Sequence, residues 1–111
     1  MFHGVCYCGD IEFEFPKSSV YSCGHCHCNG CREWNGSAFI TCLGINTDVV
    51  YTKGKPTMFK RPGAYSSRTF CGKCGTGLMN FYGEGVGAGI KLGILKEIKT
   101  ITKEFPPHFH T

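Results

Sequence analysis

The sequence predicts a small all-β domain cross-linked through its cysteines, and three observations predict it. Residues 10–15 alternate strictly, with Ile11, Phe13 and Phe15 on one face and Asp10, Glu12 and Glu14 on the other, the period of a half-buried strand. Short apolar runs follow, separated by Gly, Pro, Asn and Ser, residues that end strands and form turns. Seven of the nine cysteines stand in three tight groups: Cys6-Tyr7-Cys8-Gly9, Cys26-His27-Cys28-Asn29-Gly30-Cys31-Arg32 and Cys71-Gly72-Lys73-Cys74-Gly75.

Taken in order, strands are expected at 10–15, 20–22, 39–43, 49–52, 57–60, 67–70, 78–82 and 90–95. Pro16-Lys17-Ser18, Gly54-Lys55-Pro56, Arg61-Pro62-Gly63 and the glycine-rich stretch 83–89 break them. One helix is expected, a turn or two over 29–35, where the third sulfur of the middle group must swing back toward the first two. Gly83, Gly85, Gly87 and Gly89 suggest a phosphate-cradling loop, but such a fingerprint opens a helix. Here the run leads into the β-like 90–95, so it reads as a hairpin loop. With no internal repeat beyond the cysteine groups and no boundary, residues 1–111 read as one domain. The expected architecture is a small sheet sandwich or tent.

Composition narrows the function classes. A chain of 111 residues buries only about two-thirds of its unfolded surface, so cross-links contribute real folding free energy. The start, Met1-Phe2-His3-Gly4, lacks a basic segment followed by an apolar run, and no apolar stretch approaches the ~20 residues that span a bilayer. The expectation is a cytoplasmic protein whose thiols stay reduced, so nine cysteines read as metal ligands rather than disulfides.

Thiolates one or two residues apart can direct two sulfurs at one tetrahedral zinc, and the glycine after them lets backbone amides turn toward those sulfurs. Two pairs supply four sulfurs, a closed site; the middle group supplies three, one short of closure, as in catalytic zinc sites. Two zincs per chain with different jobs are therefore expected. Strand parity points Cys26 and Cys28 together, with Cys23, His25 and His27 opposite, and likewise pairs Cys6 with Cys8. Yet Cys23-Gly24-His25-Cys26 is itself a C-x-x-C, and a break at Gly24 would let Cys23 close the second site.

The formal charge of +4 raises a nucleic-acid reading that the metals weaken. Four thiolates around a divalent ion carry −2 and three carry −1, so filled sites would bring +4 down to +1. No Lys/Arg run of phosphate-tracking length is present. His108 and His110 stand one residue apart rather than the roughly three to five of a zinc finger. Neither nucleic acid nor membrane is an expected partner, and the oligomeric state stays open.

In chain order, Gly4-x-Cys6-x-Cys8-Gly9-x-Ile11, Cys26-His27-Cys28-x-x-Cys31-Arg32-x-x-x-Gly36-Ser37-Ala38-Phe39 and Phe70-Cys71-x-x-Cys74-Gly75 resemble the glutathione-dependent formaldehyde-activating enzyme family, to which centromere protein V is related. The resemblance runs from about Gly4 to Gly75 and more weakly to Leu95. It implies a zinc-pinned β-tent, a structural zinc on Cys6, Cys8, Cys71 and Cys74, and a catalytic zinc on Cys26, Cys28 and Cys31. It also implies S-(hydroxymethyl)glutathione synthase chemistry, a carbon–sulfur lyase class. Two departures stand out: the chain looks shorter than the enzymes that name the family, and it ends soon after Pro106-Pro107-His108-Phe109.

The chemistry also follows from a three-thiolate site, whose natural fourth ligand is another soft sulfur. A thiol held there loses its proton near neutral pH and can attack an aldehyde carbon. Glutathione brings two carboxylates, so a guanidinium is expected nearby: Arg32 first, then Arg68 and Lys73. Cys42 reads as a small buried residue. Trp34 reads as a stacking platform or as core, and His27 as a proton relay or an exposed spacer. Two other classes stay open: a zinc-stabilised protein-binding module, favoured if Cys23 closes the second site, and a dithiol redox protein using Cys23/Cys26 or Cys28/Cys31.

Overall fold

The structure, a computed structural model, describes residues 1–108; Phe109 and His110 lie outside the described residues. The described chain forms strands β1 (Phe2–Val5), β2 (Glu12–Phe15), β3 (Val20–Cys26), β4 (Ile40–Ile45), β5 (Val50–Lys53), β6 (Thr57–Phe59), β7 (Ser67–Phe70), β8 (Gly77–Phe81) and β9 (Ala88–Lys91). Two short helices join them, α1 (Asn29–Asn35) and α2 (Ile98–Glu104). Three strands make one antiparallel sheet in the order β1-β2-β5, and six make the other, β3-β4-β9-β8-β7-β6. The protein is mostly β, as its alternation requires.

The strict alternation near the start does what it predicts: Phe13 and Phe15 are buried while Glu12 and Glu14 face outward. The strand begins at Glu12 rather than Asp10, because the preceding residues close a turn. Cys6 N donates to Ile11 O and Gly9 N to Cys6 O, both at 3.1 Å. β1 was not expected. Its Gly4 weakens any strand pattern, yet a Cβ there would lie 2.2 Å from the Phe13 ring, so only glycine lets that ring cross the backbone.

Further differences follow from packing. The run at 90–95 leaves the sheet after Lys91 and turns through a 3₁₀ segment, Leu92–Ile94, which brings Leu95 back to bridge Gly4. α2 is a second helix where one was expected. It has β-branched residues and no side-chain cap, and it forms because Ile101 is completely buried, with Ile98 and Phe105 against the same core. Glu97, at its start, accepts hydrogen bonds from His3 N (2.7 Å) and His3 Nδ1 (2.5 Å), while Glu104 pairs with Lys17. The expected hairpin loop joins β8 to β9 but is shorter than 83–89, because Ala88 and Gly89 already pair with Phe81 and Asn80 in β9.

The core is one cluster drawn from both sheets and α2, with Phe13, Phe15, Leu43, Ile45, Met79 and Ile90 at its centre. Cys23 belongs to it, opposite Leu43 in the β3–β4 register. Among the described residues, no helix is long and apolar enough to cross a membrane.

Candidate metal centres and an adjoining cavity

Two sets of sulfurs converge, each within 4.8 Å: Cys6, Cys8, Cys71 and Cys74 in one, and Cys26, Cys28 and Cys31 in the other. Each can hold a metal ion. None of the nine cysteines is in a disulfide.

The four-sulfur set is built from two matching turns. One follows β1 and the other lies between β7 and β8, so the set ties the small sheet to the large one. Gly9 and Gly75 both adopt φ 81°, a left-handed value that glycine adopts without a Cβ clash. Gly75 N donates to Cys71 O at 2.8 Å, as Gly9 N does to Cys6 O. These bends turn amides onto sulfur: Ile11 N lies 3.2 Å from Cys6 Sγ and Cys74 N 3.5 Å from Cys71 Sγ. The sulfurs of Cys6 and Cys8 are 3.6 Å apart, those of Cys8 and Cys71 3.8 Å. Hydrogen bonds from Thr76, its hydroxyl first, pull the Cys74 thiol down to about 6. The turn, not strand parity, brings Cys6 and Cys8 together. Lys73 sits on this knuckle, exposed and ion-paired to Asp10 at 2.9 Å.

The three-sulfur set forms where β3 runs into α1. Cys26 is the last residue of β3 and Cys28 is the N-cap of α1, its sulfur accepting from Cys31 N at 3.4 Å. One helical turn then carries Cys31 back beneath it. The Cys26 and Cys28 sulfurs are 3.3 Å apart. Exposure falls from Cys28 to Cys26 to Cys31, which is 1% exposed. Burial, above all, pushes the Cys31 thiol up to about 11, so it ionises at neutral pH only beside added positive charge. Cys23 points into the core, not at this set, and so does not complete it.

All three sulfurs line one side of a 620 Å³ cavity, the size of a small-molecule site. The outer face of the large sheet supplies its floor: Cys42 and Gly44 from β4, Arg68 from β7, Asn80 from β8 and Gly89 from β9. The alternate residues Thr69, Met79 and Ala88 face a separate 400 Å³ cavity with Val49 and Tyr51 from the other side. Tyr65 and Tyr82 flank the larger cavity, their rings parallel within 13° at 6.0 Å. Burial raises the Tyr82 phenol to about 12.

Among the described residues, Arg68 is the Lys or Arg that lines this cavity. Arg32, on α1, is exposed, hydrogen-bonds Asn29, and lies outside the lining, as does Lys73. One helical residue beyond Cys31, the Arg32 side chain leaves α1 away from the sulfurs. Cys42 is half-buried on the cavity side rather than in the core, and burial raises its thiol to about 12. Trp34 stacks on Phe59 (6.2 Å, 4°), meets Phe70 at a tilt (5.7 Å, 57°), and lines a smaller cavity of 200 Å³ that shares Arg68. His27 lies on the exposed side, its ring 5.2 Å from Phe39.

Asn80 is a cavity residue that the sequence reading passed over. Its signal was a polar side chain inside the apolar run Leu78-Met79-Asn80-Phe81, on a strand that carries no charged residue. Lys91 was also missed: its ammonium donates to Asn35, whose Nδ2 in turn donates to Cys31 O at 2.8 Å. Burial lowers its affinity for a proton.

Residues 1–111, the whole chain, match the family described as glutathione-dependent formaldehyde-activating enzyme. No curated protein matches the sequence. The crystal structure of a Rhodobacter sphaeroides protein, a structural-genomics target, has the same fold, with a TM-score of 0.69 at 19% identity over 98% of this chain and 99% of that one.

Proposed function

Because the chain belongs to the glutathione-dependent formaldehyde-activating enzyme family, we propose that it adds the thiol of glutathione, or of a similar thiol, to formaldehyde at the three-cysteine set. The observation that carries this reading is the contrast between the two sulfur sets. Four sulfurs enclose one position between two turns, whereas three sulfurs open onto a 620 Å³ cavity.

Zinc fits both donor sets. A tetrahedral zinc with Zn–S near about 2.3 Å separates its sulfurs by about 3.8 Å. The 3.6 and 3.8 Å separations in the four-sulfur set match this, and the 3.3 Å of Cys26 and Cys28 lies a little inside it. Cys6, Cys8, Cys71 and Cys74 would hold a structural ion, and Cys26, Cys28 and Cys31 a catalytic one. Bound there, zinc would supply a fourth position that favours sulfur and keeps a thiol deprotonated near neutral pH.

The remaining work falls to the chain. The reaction forms one carbon–sulfur bond, opens the carbonyl π bond, and moves the thiol proton to the new hydroxyl. Arg68 is the group that takes a substrate carboxylate, since it is the Lys or Arg on the lining. Tyr82 stays protonated at neutral pH and donates a hydrogen bond to the aldehyde oxygen as charge grows there. Tyr65 and Tyr82 flank the position the adduct would take. The same residues serve the reverse, carbon–sulfur cleaving direction.

The uncatalysed addition proceeds in water, so yield is uninformative and exchange at equilibrium is the measurement. Zinc-loaded protein should speed exchange between glutathione and its S-hydroxymethyl adduct in NMR exchange spectra. Cys28→Ser should abolish this while the four-sulfur set holds the fold. Equal rates with and without protein, across several thiols, would rule out the reaction.

A further inference from the structure

Cys31 differs from Cys28 in what touches it. Cys28 accepts from a backbone amide. Cys31 instead receives two side-chain donors: Arg68 Nη1 at 3.5 Å and Asn80 Nδ2 at 3.9 Å. The donors come from elements far away in sequence, 37 and 49 residues on, and they form a built pair. Arg68 and Asn80 face each other in the β7–β8 register, and Arg68 Nη1 also donates to Asn80 Oδ1 at 2.7 Å. That bond sets the amide's orientation. With Oδ1 engaged by the guanidinium, the NH₂ end is the one turned to sulfur. Cys31 itself is buried, so water does not compete for these contacts.

We infer that Arg68 and Asn80 are positioning residues that draw charge from the Cys31 thiolate, weaken it as a metal donor, and so strengthen the hold of the metal on an incoming thiol. The physical basis is general: hydrogen bonds to a ligating atom reduce the charge it gives the metal, and a charged donor does so most. A metal with three full thiolate donors has little need of a fourth; one with a weakened donor binds the fourth more tightly. With the metal bound, an incoming thiol would give its proton to solvent as it joined the three cysteines, with no change of oxidation state. The inference rests on the metal assignment made above, and not on formaldehyde being the second substrate.

Cobalt(II) in place of zinc gives the test a spectrum. The probe thiol is 2-mercaptoethanol, which has no carboxylate, so any salt bridge from Arg68 to substrate drops out. Two variants separate the donors. Asn80→Asp keeps shape and the bond to Arg68 but removes the N–H and places negative charge by the sulfur. Arg68→Met keeps the stem and removes the guanidinium, and Arg68→Lys returns a cationic donor. Both Asn80→Asp and Arg68→Met should move the thiolate-to-cobalt charge-transfer band to lower energy and weaken 2-mercaptoethanol binding about tenfold, the usual scale for losing a partner of a metal ligand. Arg68→Lys should recover part of both. A residue that only packed would change cobalt content or melting temperature without moving the band. Should Asn80→Asp fail to retain the second cobalt, the two Arg68 variants decide. Two bound cobalts with band and affinity unchanged in the variants overturn the inference alone. A wild-type protein that binds one cobalt overturns the metal reading and the inference together.

Discussion

At the scale of single residues, position relative to the cavity separates cations that composition treats alike. Arg32 follows the last sulfur in sequence, but α1 turns it to solvent beside Asn29; Arg68 arrives from β7 and reaches both Cys31 and the cavity. Arg68→Ala should therefore weaken glutathione more than it weakens 2-mercaptoethanol, by about 1–3 kcal/mol, the cost of losing a charge-assisted hydrogen bond. Arg32→Ala should change neither. Competition binding to the metal-loaded protein reads both, and equal losses for the two thiols on Arg68→Ala would remove the carboxylate role. Cys23 teaches the same point from the other side. Its C-x-x-C spacing with Cys26 offers a fourth ligand, while the alternation of β3 sends it into the core at 0% exposure.

At the scale of elements, α2 shows how tertiary contacts create a helix that local signals do not announce. Seven residues with no side-chain cap form a marginal helix alone; Ile101 in the core and Glu97 on His3 hold it. Burial works to raise the Glu97 carboxyl, but the hydrogen bonds from the His3 ring and backbone outweigh it and hold the group below the usual glutamate range. A carboxyl depressed in the folded state stabilises the fold above its unfolded value of about 4.3 and loses that contribution as pH falls through the folded value. Wild type should exceed Glu97→Gln in urea unfolding by about 0.5 kcal/mol after solvent screening. The gap should hold above about pH 5 and close below about pH 4. A gap that widens on acidification would contradict the assignment. α1 is the opposite case, legible in advance: residues 29–35 were expected to turn because three sulfurs had to meet.

At the scale of the whole molecule, a metal on the four-sulfur set would be a clasp. It would join the end of β1 to the turn between β7 and β8, a separation of 63 residues between Cys8 and Cys71, and so would hold the small sheet against the large one at one edge. A metal that closes so long a loop removes chain entropy from the unfolded state and binds only the folded one. Cys71→Ser should strip one metal equivalent and cost several kcal/mol, seen as a large drop in melting temperature together with a lower metal count. A variant that keeps two equivalents and its melting temperature would refute the clasp. Cys28→Ser should instead spare most of the stability, because the three-sulfur set lies within one connection, β3 to α1.

What the sequence determined by itself was local: the mostly-β class, the outward and inward faces of β2, the break between strands, the short helix α1, and the grouping of sulfurs that the structure gathers. Each follows from spacings of a few residues, where backbone geometry alone decides which side chains share a face. Tertiary structure decided what those faces meet. β1 exists because Gly4 admits the Phe13 ring, α2 because Ile101 finds the core, and the cavity because Arg68 and Asn80, paired across β7 and β8, arrive at a sulfur 37 and 49 residues behind them. Periodicity gives a side chain its direction within an element; only long-range strand pairing brings two such directions to the same point.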